Sequence, residues 1–458
     1  MTRRNWLAMA AASAFAADPK NRVPISRETL LVKMPDAEPV KLANGLTILA
    51  IEDRRLPIAL VSFRIEGAGE IFAPQPGVAT LTAAMLTEGA AGRSGKQIAV
   101  AASRAGAILS AYADWSDEVA AIEGDGLAAG WPQWFELMCG MVRNPAFSAD
   151  EFQQLRERSE AALRLQRPAD VAEQRLLHLI YGKHPAGNSP YSAEALASFT
   201  PEILAAWHRE RYTPFNTVIL CIGKVRPSEL RAKTENLLGD WRGSNVAPPL
   251  PPAPEPPASR NIVLMDRPGA TQTLILIGAL VIDRRSHDYF PMLLLNQVLG
   301  TGMSSRFIRI LRREKRYAFA AGSGFSAGRF AGIWRARANV RADATMDSLE
   351  IMLDQLRQVC DGLLPSEELE QAKRAATGAF ALGLEEPSQV LGNCYQRFRY
   401  GFSTDYWDRY PAKIEAVSAQ EIQAAAQKYL NPDRLQVVLS GDLSRWRGAL
   451  EKLGRVQA

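Results

Sequence analysis

Four histidines occur in the 458 residues, His178, His184, His208 and His287, and no two of them share one helical turn. That spacing is what would present two imidazole nitrogens to one metal ion. The four cysteines, Cys139, Cys221, Cys360 and Cys394, are widely scattered and form no CxxC pair, so neither a sulfur-ligated zinc nor a disulfide framework is indicated. The chain has no phosphate-binding loop, no Ser/His/Asp order and no dinucleotide fingerprint. A dense basic run does stand out: Arg306, Arg309, Arg312, Arg313, Lys315 and Arg316, followed by Tyr317 and Phe319. A guanidinium held over a reacting carbonyl can stabilise the developing oxyanion. The plainer reading makes the run a basic helix face and Phe319 a core residue. Two further features read as structural: His184, beside Pro185 and near Gly187, belongs to a turn, and Glu157 and Glu160, in an arginine-rich helix, are solvated charges.

The elements that must position such residues are strands and long helices arriving in blocks. The runs Leu46 to Ile51 and Ile58 to Ile65 are apolar and β-branched, with the polar stretch Glu52-Asp53-Arg54-Arg55 between them, a strand, turn, strand signal. A helix follows from about Gly77 to Leu86. Strand patterns then recur at Ile108 to Ala113 and Glu118 to Ile122, and helical spacing at Gly130 to Val142 and Glu151 to Leu165. This order predicts an α+β fold rich in antiparallel pairing.

The chain also repeats itself. Tyr212 and Pro214 before Gly223 match Tyr429 and Pro432 before Gly441, with 432 − 214 = 218 and 441 − 223 = 218. Upstream, Phe152 matches Leu369, an offset of 369 − 152 = 217. Between the copies runs PPLPPAPEPP, residues 248 to 257, whose prolines fix φ and favour an extended, semi-rigid connector of about 30 Å. The expected organisation is two homologous halves, residues 24–247 and 259–458, each an antiparallel-rich sheet packed with helices, joined by a proline-rich linker at 248–258.

Composition sets the outer bounds. With 47% hydrophobic and 22% charged residues the chain is an ordinary globular protein, and a net charge of +5 is too small over this length to imply nucleic-acid binding. Arg3 and Arg4, the apolar stretch from Trp6 to Phe15 and the Ala14-Phe15-Ala16 site predict a cleaved signal peptide at residues 1–16. The run Thr2 to Leu7 also suits a twin-arginine signal, so the Sec and twin-arginine routes both stay open. Either route exports the chain, to the periplasm or beyond. No other stretch is apolar enough to span a membrane.

Several motifs together resemble the insulinase or pitrilysin family of zinc metallopeptidases, the inverzincins: NGLTILAIEDRRLP (44–57), PGVATLTAAMLTEGAAGRSGKQI (76–98), AGAILSAYADWSDE (105–118), YGKHPAGNSPY (181–191), RYTPFNTVILCIGKV (211–225) and LGTGMSSRFIRILRREKRYAF (299–319). They cover nearly the whole chain after the signal segment, in the family order. Active members bear HxxEH on the helix after the PG turn, two histidines for one zinc ion and a glutamate for its water. Here the matching positions are Thr80, Ala83 and Ala84, which supply neither imidazole nor base. The resemblance therefore implies a non-catalytic homologue that binds no metal and cleaves no peptide alone.

What remains of the family's site is partial. Arg312 matches an arginine that reaches the substrate, but the tyrosine seven positions on is Phe319. Tyr317 precedes it by two residues and, in a regular strand, would point to the same face about 6 to 7 Å away. Residues 108–113 match the edge strand that pairs with extended peptide, which makes Ser110, Ala111 and Tyr112 candidate substrate contacts, with Ser110 where asparagine is usual. Pairing within the sheet is the other reading of that strand. The resemblance implies a heterodimer with an HxxEH-bearing homologous subunit that carries the zinc, this chain closing the peptide chamber and contributing Arg312. The alternative is a structural or interaction protein of the same fold, like the respiratory-complex core subunits. A stand-alone peptidase with unusual ligands is a third.

Overall fold

The computed structural model describes residues 31–113, 118–188, 191–245 and 247–457, so the expected signal segment lies outside the described residues. The first half begins with β1 (Val40–Lys41), β2 (Thr47–Glu52) and β3 (Ile58–Glu66). Helix α1 (Val78–Glu88) leads through a small hairpin, β4 (Gly89–Ala90) and β5 (Arg93–Ser94), into α2 (Gly95–Arg104). Next come β6 (Ala107–Ala113), β7 (Val119–Leu127) and α3 (Trp131–Arg143). Five helices and one strand complete the half: α4 (Ala149–Arg164), α5 (Pro168–Tyr181), α6 (Ala193–Ser198), α7 (Pro201–Arg211), β8 (Thr217–Gly223) and α8 (Pro227–Leu238).

The second half repeats this order. Strands β9 (Asn261–Asp266) and β10 (Gln272–Leu280) precede α9 (Tyr289–Leu299), a π-helical turn at Ile308–Glu314, β11 (Ala318–Phe325) and β12 (Ile333–Arg341). Then follow α10 (Thr345–Asp361), α11 (Ser366–Gly383), α12 (Pro387–Tyr400), α13 (Tyr410–Glu415), α14 (Ala419–Tyr429), β13 (Gln436–Gly441), α15 (Arg447–Leu450) and β14 (Arg455–Gln457). The sheets run β1-β2-β8-β3-β7-β6 and β14-β9-β13-β10-β12-β11, and their five shared strands match one to one. The π-helical turn stands where the first half has α2.

Although the expected strands around residues 46–51 and 58–65 both form, they are not neighbours. β8 lies between them, parallel to β2 and antiparallel to β3. Its sequence, TVILCIG, is buried at every position because both faces are covered. Ile219 and Cys221 face the core built on α1, α3 and α7, while Val218, Leu220 and Ile222 face a core that includes Val390, Leu391 and Cys394 of α12. So a helix of the second half covers the sheet of the first.

The reverse holds for α5. Its Ala172, Leu176, Leu177 and Ile180 pack on Val263, Leu274, Leu276 and Val438 of the second sheet. Both exchanged helices open with proline at their first position, where its missing N–H costs no hydrogen bond. Where α5 crosses β10, Gly278 admits Ile180, since a Cβ there would lie 2.6 Å from the isoleucine Cδ1. From Val32 onward the chain is one compact unit. The proline segment shows period three, with Pro248, Pro251, Pro254 and Pro257 half-buried between exposed neighbours, as a polyproline II helix lying along the surface requires.

Candidate functional site

Helix α1 starts at Gly77, whose φ of +104° is open to glycine and hostile to side chains, and whose missing Cβ leaves room for Tyr191 and Phe199. The helix N-terminus is capped by a residue the sequence did not single out. Glu70 is buried, and its carboxylate accepts from the Gly77 N–H, from the Thr80 N–H at 2.9 Å and from the Thr80 hydroxyl at 2.9 Å. Burial pushes the Glu70 carboxyl above the usual range, against the pull of those donors.

Thr80 occupies the place of the first histidine of the motif, and its hydroxyl is also 3.0 Å from the Ala113 carbonyl on β6. Ala83 is fully buried in the first-half core, and Ala84 packs against that core. A threonine already bonded within the fold and two methyl groups do not fit a zinc ion. Among the described residues no group of three or more His, Cys, Asp or Glu side chains is placed to hold a metal.

Ser110, Ala111 and Tyr112 lie on β6, which among the described residues pairs only with β7 and forms the sheet's edge. Alternation sends the backbone groups of Leu109 and Ala111 the same way as the Ala113 carbonyl, toward that outer edge. Ser110 is exposed and Ala111 half-buried. Tyr112 is engaged: its hydroxyl donates to Glu123 at 2.9 Å and accepts from Arg64 at 3.3 Å, while Arg64 also pairs with Glu123 at 2.6 Å.

The second half holds the remaining candidates. Arg312 is exposed on the π-helical turn, which closes with the Lys315 N–H on the Ile310 carbonyl at 2.9 Å. Arg306 does not belong to the exposed basic face, being buried and paired with Glu368 at 2.6 Å. Phe319 does not fill core either. It falls at a bulge between Ala318 and Ala320 and is 58% exposed, matched in the other half by Ile108, at 78%. The bulge also breaks the alternation that would have put Tyr317 and Phe319 on one face. Tyr317 instead precedes the strand and donates to Asp347 at 3.2 Å.

The two edge strands differ. β11 is closed at its middle, where the Ser323 N–H donates to the Gly300 carbonyl at 3.1 Å, and a Cβ on Gly300 would lie 2.1 Å from that nitrogen. His184, at 7% exposure, accepts from the Ala186 N–H through Nδ1 at 3.2 Å, and its ring lies edge-on to Phe330 of the second half. It is a turn residue at the junction.

Two six-stranded sheets and a shared order of helices define a duplicated α+β fold whose α1 carries Thr80, Ala83 and Ala84 at the positions considered for a metal. The sequence profile of the peptidase M16 inactive domain matches residues 198–376. The crystal structure of the peptidase M16 inactive domain from Pseudomonas fluorescens aligns with a TM-score of 0.81 at 25% identity, over 89% of this chain and 98% of that one. A protease from Helicobacter pylori shares the fold, with a TM-score of 0.80 at 17% identity, over 89% of this chain and all of its own. An uncharacterized zinc protease of Mycobacterium bovis is 26% identical over 313 residues, 67% of this chain and 70% of that protein. In sequence and fold the chain is similar to the M16, or insulinase and pitrilysin, peptidases and their inactive domains.

Proposed function

We propose that this chain is the zinc-free subunit of a two-subunit peptidase, pairing with an HxxEH-bearing homologue and completing its peptide chamber. The observation that carries the reading is the combination at α1 and the π-helical turn. The catalytic positions have become part of the fold through Thr80, Glu70 and Ala113, whereas Arg312 stays exposed and free of any ion pair among the described residues. The partner supplies zinc, the metal-bound water and the base. This chain supplies a guanidinium that can hydrogen-bond the peptide or its oxyanion. The signal-like segment at residues 1–16 supports export of this chain, to the periplasm where that compartment exists, so a partner would have to share that compartment.

The test is zinc content and peptide hydrolysis for the chain alone and mixed with the candidate partner. Alone it should hold no stoichiometric zinc and cleave nothing; mixed, the partner's turnover should rise. One tightly bound zinc per chain would sink the reading. In the assembled pair, Arg312→Ala should lower turnover about 10²-fold without loss of assembly. Tyr317 favours a second reading, a structural or interaction protein, because its hydroxyl is committed to Asp347 and Phe319 cannot donate. Under that reading Arg312→Ala leaves turnover unchanged.

A further inference from the structure

The segment Arg306 to Arg316 holds six cations and one acid, Glu314. Two cations are neutralised, Arg306 by Glu368 at 2.6 Å and Arg309 by Glu314 at 2.7 Å. Arg312, Arg313, Lys315 and Arg316 are exposed and form no ion pair among the described residues. They thus put four uncompensated positive charges within five residues of a chain whose net charge is only +5. Like charges this close repel, and the backbone does not relax to separate them. It is fixed by the π-type bond of Lys315 and by Arg316 at φ +57°, a conformation costly for a side-chain-bearing residue.

Three more arginines lie on β12, alternate to Trp334, Ala336 and Ala338, whose face packs with Phe307 and Leu311 at the turn; of these arginines, Arg341 is paired with Asp343 at 3.1 Å. Alternation along β12 exposes Arg335, Arg337 and Arg341 on one face, and their neighbours on β11 there are small, with Gly324 beside Arg335 and Gly322 beside Arg337. A Cβ on Gly324 would meet nothing within 4 Å, whereas one on Gly322 would lie 3.1 Å from the Gly300 carbonyl oxygen. Arg335 and Arg337 share one carboxylate, that of Glu173, at 3.2 and 3.5 Å. Residues i and i+2 of a strand repeat at about 6.6 Å, the same repeat as side chains on one face of an extended peptide.

We infer that the basic shelf at this turn selects acidic, extended peptide segments, with Arg312, Arg313, Lys315 and Arg316 as the contacts. The inference rests on the partner-subunit reading for its place in a chamber and deepens it by naming the class of peptide. Attraction of this kind is long-ranged and weakened by salt.

The experiment uses the purified mature chain alone and fluorescently labelled twelve-residue peptides, one rich in glutamate, one rich in lysine and one neutral. Anisotropy titrations at low salt should show the acidic peptide binding at least about tenfold more tightly than the other two, with the preference shrinking as salt rises. Arg312→Glu with Arg313→Glu should abolish the preference. Lys96→Glu, an exposed charge on α2 in the corresponding place of the first half, should keep it, and thermal melts should show all variants folded. Equal affinity for the three peptides, an unaffected double variant, or displacement of the peptide by an equimolar single-stranded oligonucleotide would each overturn the inference. Its failure is separable from that of the partner reading. Loss of acidic preference while the mixed complex still cleaves refutes the shelf alone, whereas acidic binding without any gain in cleavage refutes the partnership alone.

Discussion

At Thr80 one hydroxyl proton faces two acceptors, the Glu70 carboxylate at 2.9 Å and the Ala113 carbonyl at 3.0 Å. A protonated Glu70 relieves the conflict by donating to the threonine oxygen, which then donates to Ala113. Burial raises the Glu70 pKa in the same direction. A raised acid pKa means the native state holds its proton more tightly, so stability is fullest below the unfolded value near 4.5 and declines as pH rises through the native one. Glu70→Gln should lose this declining limb in denaturant melts recorded across pH, and Glu70→Ala should cost about 2 to 3 kcal/mol by uncapping α1.

His208 slopes the other way. Buried, with Nε2 donating to the Val142 carbonyl at 2.9 Å, it is pulled from 6.5 down to about 4 by desolvation. Its contribution is complete above pH 6.5 and lost as pH falls toward 4, on the order of 3 kcal/mol if the whole shift is realised. His208→Gln, which keeps a donor, should flatten the acid limb, and an unchanged limb would refute the assignment. The motif positions Thr80, Ala83 and Ala84 were legible from the sequence because they stand in register with a short pattern. Glu70 was not, because a cap that reaches a helix from outside it leaves no local periodicity.

Element by element, the sequence reading located strands and helices well and their partners poorly. Alternation and helical spacing reveal which residues are apolar, and that sufficed for β2, β3, β6 and α3. Pairing is set by segments far away in the chain: β8 enters between β2 and β3 more than 150 residues after β3 ends (217 − 66 = 151). The exchange of α5 and α12 is invisible for the same reason, since an amphipathic stripe does not say whose sheet it covers. The structure makes that assignment testable. Leu176 is fully buried between α5 and the second sheet, so Leu176→Ala should cost about 2 to 5 kcal/mol. Because the contact joins the halves, fluorescence probes in both should report the same shifted midpoint. A midpoint that moves in one half only would show the halves to be energetically separate.

Taken as a whole molecule, the duplication does not yield two independent domains. Charged groups bridge the halves: Glu118 at the start of β7 meets Arg329 at 3.1 Å and Arg399 at 2.9 Å, and Arg399 lies 3.2 Å from Glu66. Tyr395 of α12 adds a hydrogen bond to Glu66. Separating the halves would strand these buried charges and expose the apolar faces of both sheets, a loss far greater than a ten-residue tether could offset. Cutting the linker at Leu250, which is 59% exposed, should therefore leave a nicked protein that elutes as one particle and melts in one transition. Expressed alone, residues 259–458 lack α5 and would bare Leu274, Leu276 and Val438, so the fragment should aggregate or remain molten. Co-expression with residues 32–247 should restore a soluble, cooperatively folding complex. An isolated half with a sharp melt of its own would show that the exchanged helices decorate two finished domains, and the single-unit account would fall.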